Sequence, residues 1–249
     1  MKLSEIPRKP PKIILCGESG TGKSALAMTL GEGTVYVDLD DGLMTGVTFK
    51  DQWYERRQQV EVKRCVEEDP SKALAFGKAR SYMQGIADSF IAGKPICRAV
   101  VVDSLTTLAD AAMRMVLANN NRLGLQPQKQ HWGMRDLALD GFFNVLYALP
   151  CVVVMVAHLQ LSGDEAEGEG GVAYRIAMQG KAYPPKLPVR FDEIWLTKML
   201  RGAGGRNTYA VSTQASGLFS CRTRYNLPDN QDANQGLPAL LGKIGFEWK

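Results

Sequence analysis

Hydrophobic runs at Ile13–Cys16, Val35–Val37, Ala99–Val102 and Cys151–Ala157 have no polar interruption. A short run that is apolar on both faces is a strand buried on both sides, as in a parallel sheet covered by helices. Between these runs the period lengthens. Ala25–Leu30 reads as a helix, and Asp69-Pro70 supplies an N-cap and a first-position proline for a second one. Phe76, Met83, Ile86, Ala87 and Phe90 share one face of that helix, which Gly93 closes. Leu105–Ala118 is helical until Asn119–Asn121, and a helix from Trp132 to Leu149 stops before Pro150. Alternation through Val60, Val62 and Val66 predicts an edge strand over 59–66. Phe191–Leu200 and Arg206–Thr213 flank Gly202–Gly205 as a hairpin, followed by a strand near Leu218–Arg224 and a short helix near Leu237–Ile244. Residues 43–59, with Arg56 and Arg57 beside Trp53 and Tyr54, read as a solvated, partly helical excursion, and 159–190 as a long Gly-rich loop. The fold class is α/β: a mostly parallel twisted sheet flanked by helices, with a C-terminal antiparallel hairpin.

Composition changes little in this picture. The chain has 249 residues, 45% hydrophobic and 22% charged, enough for a full α/β core. A net charge of +4 permits an anionic partner without demanding one. Five scattered cysteines, with no C-x-x-C pair, argue for a reducing compartment rather than a disulfide or zinc framework. The basic, proline-broken N-terminus has no apolar signal core, and no apolar run approaches the roughly 20 residues needed to span a bilayer. The expected location is cytoplasmic.

The first strand leads into Gly17-Glu18-Ser19-Gly20-Thr21-Gly22-Lys23-Ser24, and a helix beginning at Ala25 follows. That is the G-x-x-x-x-G-K-[ST] spacing in its strand–loop–helix context, which identifies a phosphate-binding loop. Glycines let the backbone come close to phosphates, and successive N–H groups face the anion at a helix start. Lys23 brings charge to the β- and γ-phosphates and Ser24 a hydroxyl ligand for Mg²⁺. The expected ligands are ATP and Mg²⁺. Asp103, at the carboxyl end of its strand, faces the ligand crevice, where it would hold the Mg²⁺ hydration shell.

Ser104, not Glu, follows Asp103, so a water-activating carboxylate must come from elsewhere; the cluster Asp38, Asp40 and Asp41 after the second strand is the nearest supply. Tyr36-Val37-Asp38-Leu39-Asp40, Val100-Val101-Val102-Asp103-Ser104-Leu105 and the apolar run ending at His158 together resemble the core of the RecA family of P-loop NTPases. The resemblance implies that Asp40 orients the attacking water, with Asp41 its competitor and Asp38 structural. Families of this kind usually carry Glu there, and Asp40 is one methylene shorter. His158 matches the polar sensor of the γ-phosphate that leads into a DNA-contacting loop.

Over residues 10–225 the chain looks like compact bacteriophage RecA-like ATPases of single-strand annealing and recombination, through that histidine, Gly180-Lys181 and Leu187-Pro188 leading to Phe191–Ile194. This implies one domain over 1–249, with an N-terminal arm (1–11), a mobile DNA-contacting loop (159–190) and a C-terminal tail (226–249). It implies a cytoplasmic setting in a bacterial host. The loop's first half (Asp164, Glu165, Glu167, Glu169) is acidic. Its second half interleaves Tyr174, Arg175, Lys181, Tyr183, Lys186 and Arg190, which suits a single strand. Asn121–Gln130, with Arg122 and Lys129, is a second candidate loop. Lys198, Arg201 and Arg206 are candidates to reach a neighbouring subunit's γ-phosphate. The implied function is a DNA-dependent ATPase that binds single-stranded DNA as a homo-oligomer, ring or filament, beside a single-strand-binding protein. The alternatives are a helicase-like motor or a nucleotide-gated DNA-binding module with negligible turnover.

Overall fold

Parallel strands form the spine of the computed structural model, which describes residues 2, 5, 7–163, 172–180, 182–201, 207–215 and 219–248. The apolar runs become β1 (Lys12–Gly17), β2 (Thr34–Asp38), β4 (Ala99–Asp103) and the first part of β5 (Val152–Gly163). The edge strand is β3 (Glu61–Arg64). β7 (Glu193–Arg201) and β8 (Asn207–Ser212) form the antiparallel hairpin, and β10 (Gln231–Asp232) pairs outside β8. Across the sheet the order is β10-β8-β7-β1-β5-β4-β2-β3, with neighbours parallel from β7 to β3. β5 therefore separates the phosphate-loop strand from the strand that ends at Asp103.

Alternation along each buried strand feeds two cores. Ile14, Cys16, Val35, Val37, Val100, Val102, Val153 and Met155 face α4 (Ala75–Ile91), α5 (Leu105–Asn119) and α6 (Lys129–Ala148). Ile13, Leu15, Tyr36, Val101, Val154, Val156 and Trp195 face the other way, towards α1 (Lys23–Met28) and α8 (Gly236–Lys243). Parallel strands buried on both faces are what continuous apolar runs encode. Cys16, Cys65, Cys97 and Cys151 are buried within the structure, as small core residues.

Several expectations change. The α4 helix starts at Ala75, not Asp69. The Asp69 carboxylate caps a local turn through Ser71, and Glu67 Oε2 instead accepts from the backbone N–H of Leu74 and Ala75 at 2.8 and 3.1 Å. The segment after His158 is not simply a loop. β5 continues to Gly163 and pairs antiparallel with β6 (Val172–Ile176), and a short 3₁₀ turn and α7 (Leu187–Arg190) follow. The strand expected near 218–224 is only β9 (Arg222–Thr223), while Leu218 lies outside the described residues. The expected C-terminal helix is α8, and it packs into the core: Leu237, Leu240 and Leu241 are fully buried, and Leu237 N–H donates to Thr29 Oγ1 on the end of α1 at 2.8 Å. No helix among the described residues is long and apolar enough to cross a membrane.

Candidate functional site

The carboxyl ends of β1, β5, β4 and β2 meet along one edge, where Gly17 is level with His158 and Asp38 with Asp103. Ligands of open α/β sheets bind outside that edge, and here it borders a cleft of about 320 Å³ lined by Lys23, Ser24, Asp40, Asp103 and His158 at one end. Gly20 and Gly22 hold φ of 81° and 84°, a left-handed backbone that lets the loop curl at the start of α1. Gly17 serves a different need. A Cβ there would lie 2.4 Å from Thr197 Oγ1, 2.5 Å from Thr21 Oγ1 and 2.9 Å from the Thr197 carbonyl oxygen.

Lys23 Nζ donates to the carbonyls of Gly17 (3.0 Å) and Glu18 (2.7 Å), and burial holds its pKa below the usual lysine range. Ser24 Oγ donates to Asp103 Oδ2 at 2.5 Å, and the Tyr36 hydroxyl donates to the same oxygen. Burial raises the Asp103 carboxyl, against those hydrogen bonds. Burial also raises Asp38, whose Oδ1 takes the Gly42 N–H at 3.4 Å while its Oδ2 is enclosed with no hydrogen-bond partner among the described residues. The donor set fits a hard divalent cation: a hydroxyl, oxygen-only carboxylates, and an enclosed carboxylate oxygen left unpaired. Ser24 and Asp103 are the residues that would hold it.

Asp40 and Asp41 part company. Asp40 lies in the cleft, with its Oδ2 3.1 Å from His158 Nε2 and its Oδ1 accepting from Ser104 Oγ at 3.0 Å. Burial alone would raise its pKa, but hydrogen bonds from His158, Thr107 and Ser104 outweigh burial and hold it below the usual carboxylate range. Asp41 adopts φ 57° and turns outward to an exposed ion pair with Arg64 at 2.7 Å.

Residues 43–59 build the cleft's far end; the segment is mostly exposed and partly helical, as expected, and Arg57 is the charged side chain buried within it. α2 (Met44–Thr48) and α3 (Tyr54–Arg57) bracket a turn in which Arg57, 4% exposed, pairs with Asp51 at 2.7 Å and donates to the Phe49 carbonyl. Trp53 Nε1 and Gln52 Nε2 both donate to the Asn234 carbonyl, at 2.8 and 2.7 Å, tying this turn to the segment before α8. Phe49, Trp53 and Asn234 line the cleft. Tyr209 on β8 stands over the phosphate loop, so close that a Cβ on Gly22 would meet its ring at 3.2 Å. Spacing along the chain gives no signal for Tyr36, Thr197 or Tyr209, which sheet order brings here, or for Trp53, which its bond to Asn234 ties in.

The remaining candidates scatter. The Tyr174 hydroxyl donates to Glu18 Oε1 at 3.0 Å, linking β6 to the phosphate loop, and its neighbour Arg175 is exposed opposite Gln160. Tyr183 is a correction: its ring is 1% exposed, stacked 6.4 Å from Phe143, and its hydroxyl donates to Asp140, so it is a core residue and offers no face to a base. Lys186 is exposed and Arg190 pairs with Asp140 at 2.6 Å. Lys198 is half-buried on β7 and Arg201 exposed at its end. Lys181, Arg206 and the acidic residues Asp164, Glu165, Glu167 and Glu169 lie outside the described residues.

The enclosed Asp38 carboxylate sets up a test of opposite signs. Its raised pKa means that its charge opposes folding at neutral pH, a cost that fades as pH falls through the raised value. Asp38→Asn removes that charge, and the melting temperature without nucleotide should rise by roughly 2–4 °C. The further rise on adding Mg²⁺ with a nucleotide should shrink. A variant that melts lower than the parent in both conditions would show that the charge is already compensated.

Residues 9–224 match the family model described as an AAA domain. No curated protein matches the chain.

Proposed function

The chain belongs to the AAA domain family of P-loop ATPases, and from that footing we propose that it hydrolyses ATP while gripping single-stranded DNA in a RecA-like homo-oligomer. One observation carries the reading: the carboxylate of Asp40 is bridged to His158, and the strand bearing His158 runs on into the β5–β6 hairpin. A group that senses the γ-phosphate in the middle of β5, where the parallel sheet ends, is thereby connected to the part of the strand that pairs with β6.

ATP enters with its phosphates against the loop amides and Lys23, and Mg²⁺ held by Ser24 and Asp103 would neutralise charge on the β- and γ-oxygens. Asp40, ionised and fixed by Ser104 and His158, orients water for in-line attack. As the terminal phosphate departs, His158 loses a partner and the hairpin responds, an ordering-and-release cycle of a known kind. Tyr174 and Arg175 on β6, and Lys186 beyond it, supply a ring and cations for a single strand. Lys198 or Arg201 on β7, next to β1, would complete a neighbour's site. Annealing or strand exchange, in a bacteriophage setting with a single-strand-binding protein nearby, is the role that fits.

Phosphate release measured with and without an oligo-dT strand across a salt series tests this. DNA should stimulate turnover severalfold, with stimulation fading steeply as salt rises because phosphate contacts release counterions. Turnover indifferent to DNA at every salt concentration would overturn the DNA half of the proposal. ATP-gated DNA binding without phosphate release would convert it into a switch with negligible turnover.

A further inference from the structure

We propose that a second cleft, at the opposite edge of the sheet from the nucleotide site, binds a phosphate group. The cleft measures about 540 Å³ and is lined by Arg8, Lys9, Lys12, Tyr147, Arg190 and Tyr225, with Asp192 and two prolines. Lys12 opens β1 and Asp192 precedes β7, so the cleft sits where the parallel strands begin, the far end from Gly17, Asp103 and His158. Its ligand is separate from ATP, and the proposal stands whether or not the DNA-dependent reading does.

The donors are arranged and under-used. Lys12 is buried, and its Nζ donates to the carbonyls of Leu149 (2.6 Å) and Cys151 (2.7 Å). An ammonium has three donors, which leaves one for a ligand. The Tyr147 hydroxyl is enclosed with no hydrogen-bond partner among the described residues, a costly state for a polar group. Its ring cannot swing out freely: it stacks on Phe143 at 5.8 Å and meets Phe191 edge-on at 5.4 Å. The Arg190 guanidinium lies 5.7 Å from the centre of the same ring, oriented by Asp140 at 2.6 Å and Asn144 at 3.4 Å.

Asp192 is the one carboxylate among the lining residues, and it is already engaged. Its Oδ2 accepts from the Lys12 N–H at 3.0 Å and its Oδ1 from Arg224 at 3.1 Å. Arg8 and Lys9 are exposed along the rim, where Arg8 reaches the Gly245 carbonyl at 3.5 Å and the Lys9 carbonyl takes the Tyr225 hydroxyl at 3.1 Å. What is offered is a set of cations, Arg190 among them already paired with Asp140, together with the unpartnered Tyr147 hydroxyl, while the lining acid is engaged. A phosphate group, with several acceptor oxygens and a negative charge, meets several of those donors at once. The group could be free phosphate or a phosphodiester of a nucleic-acid strand, and the volume accommodates either.

Amide hydrogen exchange of the full chain, with Mg²⁺ and ADP in excess to occupy the loop around Lys23, decides this. Millimolar inorganic phosphate, against chloride of equal ionic strength, should slow exchange over residues 7–12 and 187–192 by roughly fivefold. Tyr147→Phe, which keeps the ring, should weaken the apparent phosphate affinity by about tenfold, and Arg8→Glu with Lys9→Glu should abolish the slowing. A dT oligonucleotide that slows the same segments, with loss in the same variants, identifies the source as a strand backbone. Slowing by phosphate and not by the oligonucleotide identifies free phosphate. If neither ligand changes exchange there, or if the slowing persists in both variants, no such site exists.

Discussion

Asp40→Asn should bind MgATP nearly as tightly as the parent and turn it over at least about a hundredfold more slowly, the scale of loss when a group that positions a reactant is removed. The substitution keeps the shape of the side chain, so the Ser104 hydroxyl retains an acceptor, while the charge proposed to face the attacking water is gone. Asp41→Asn is the matched control and should stay within about twofold of the parent, because Asp41 pairs with Arg64 on an exposed surface. Equal losses in both variants would mean that the acidic turn acts through its fold, not through one carboxylate. Loss in Asp41 alone would move the role to the neighbour.

The pH dependence follows from the direction of the shift. Hydrogen bonds hold the Asp40 carboxyl below the usual range against its burial, so the group is ionised throughout neutral pH. Its contribution to folding is present above the unfolded value and is lost as pH falls through the lower folded one. Turnover should therefore show no limb from this residue above about pH 4. A carboxylate so weakly basic orients water better than it stores a proton. An acid limb near neutrality that disappears in Asp40→Asn would contradict this assignment.

The parts of the site that lie close together along the chain are legible in the sequence itself. Gly17–Ser24 reads from spacing alone, and Asp103 from its place at the end of an apolar run. The parallel sheet follows for the same reason, since strands buried on both faces admit little but apolar residues. The failures share a different cause. Asp69-Pro70 satisfies a local rule for a helix start, yet Glu67, reaching across the turn, makes a better partner for the first amides of α4. Tyr183 sits in a stretch with the composition of a base-stacking surface, but only the packing of Phe143 and Asp140 around it shows the ring to be interior. Arg57 reads as solvated charge, whereas Asp51 and the Phe49 carbonyl enclose it. Charged and aromatic side chains are amphipathic, so their place depends on partners that sequence distance conceals.

Gly17→Ala should cost at least about a hundredfold in nucleotide affinity and roughly 1–3 kcal/mol of stability, the usual penalty for forcing a methyl into a filled space. The reason lies in β7, not in the backbone freedom of Gly17 itself. The added methyl meets the Thr197 hydroxyl, the Thr21 hydroxyl and the Thr197 carbonyl, all within 3 Å. The two hydroxyls are 2.8 Å apart, and Thr197 also donates to the Cys16 carbonyl at 3.0 Å, so they form a short chain joining the loop to the strand beside it. Either the loop lifts away from β7, which displaces the amides that face the phosphates, or β7 shifts from its register with β1. Thr197→Ala in the same chain removes one of the three obstacles and leaves the Thr21 hydroxyl and the Thr197 carbonyl. It should restore part of the lost affinity, which the dissociation constant of a fluorescent ATP analogue would measure. Full affinity in the single variant would show that the loop can ride over a methyl here. No recovery in the double variant would place the obstruction at the two contacts that remain, the Thr21 hydroxyl and the Thr197 carbonyl.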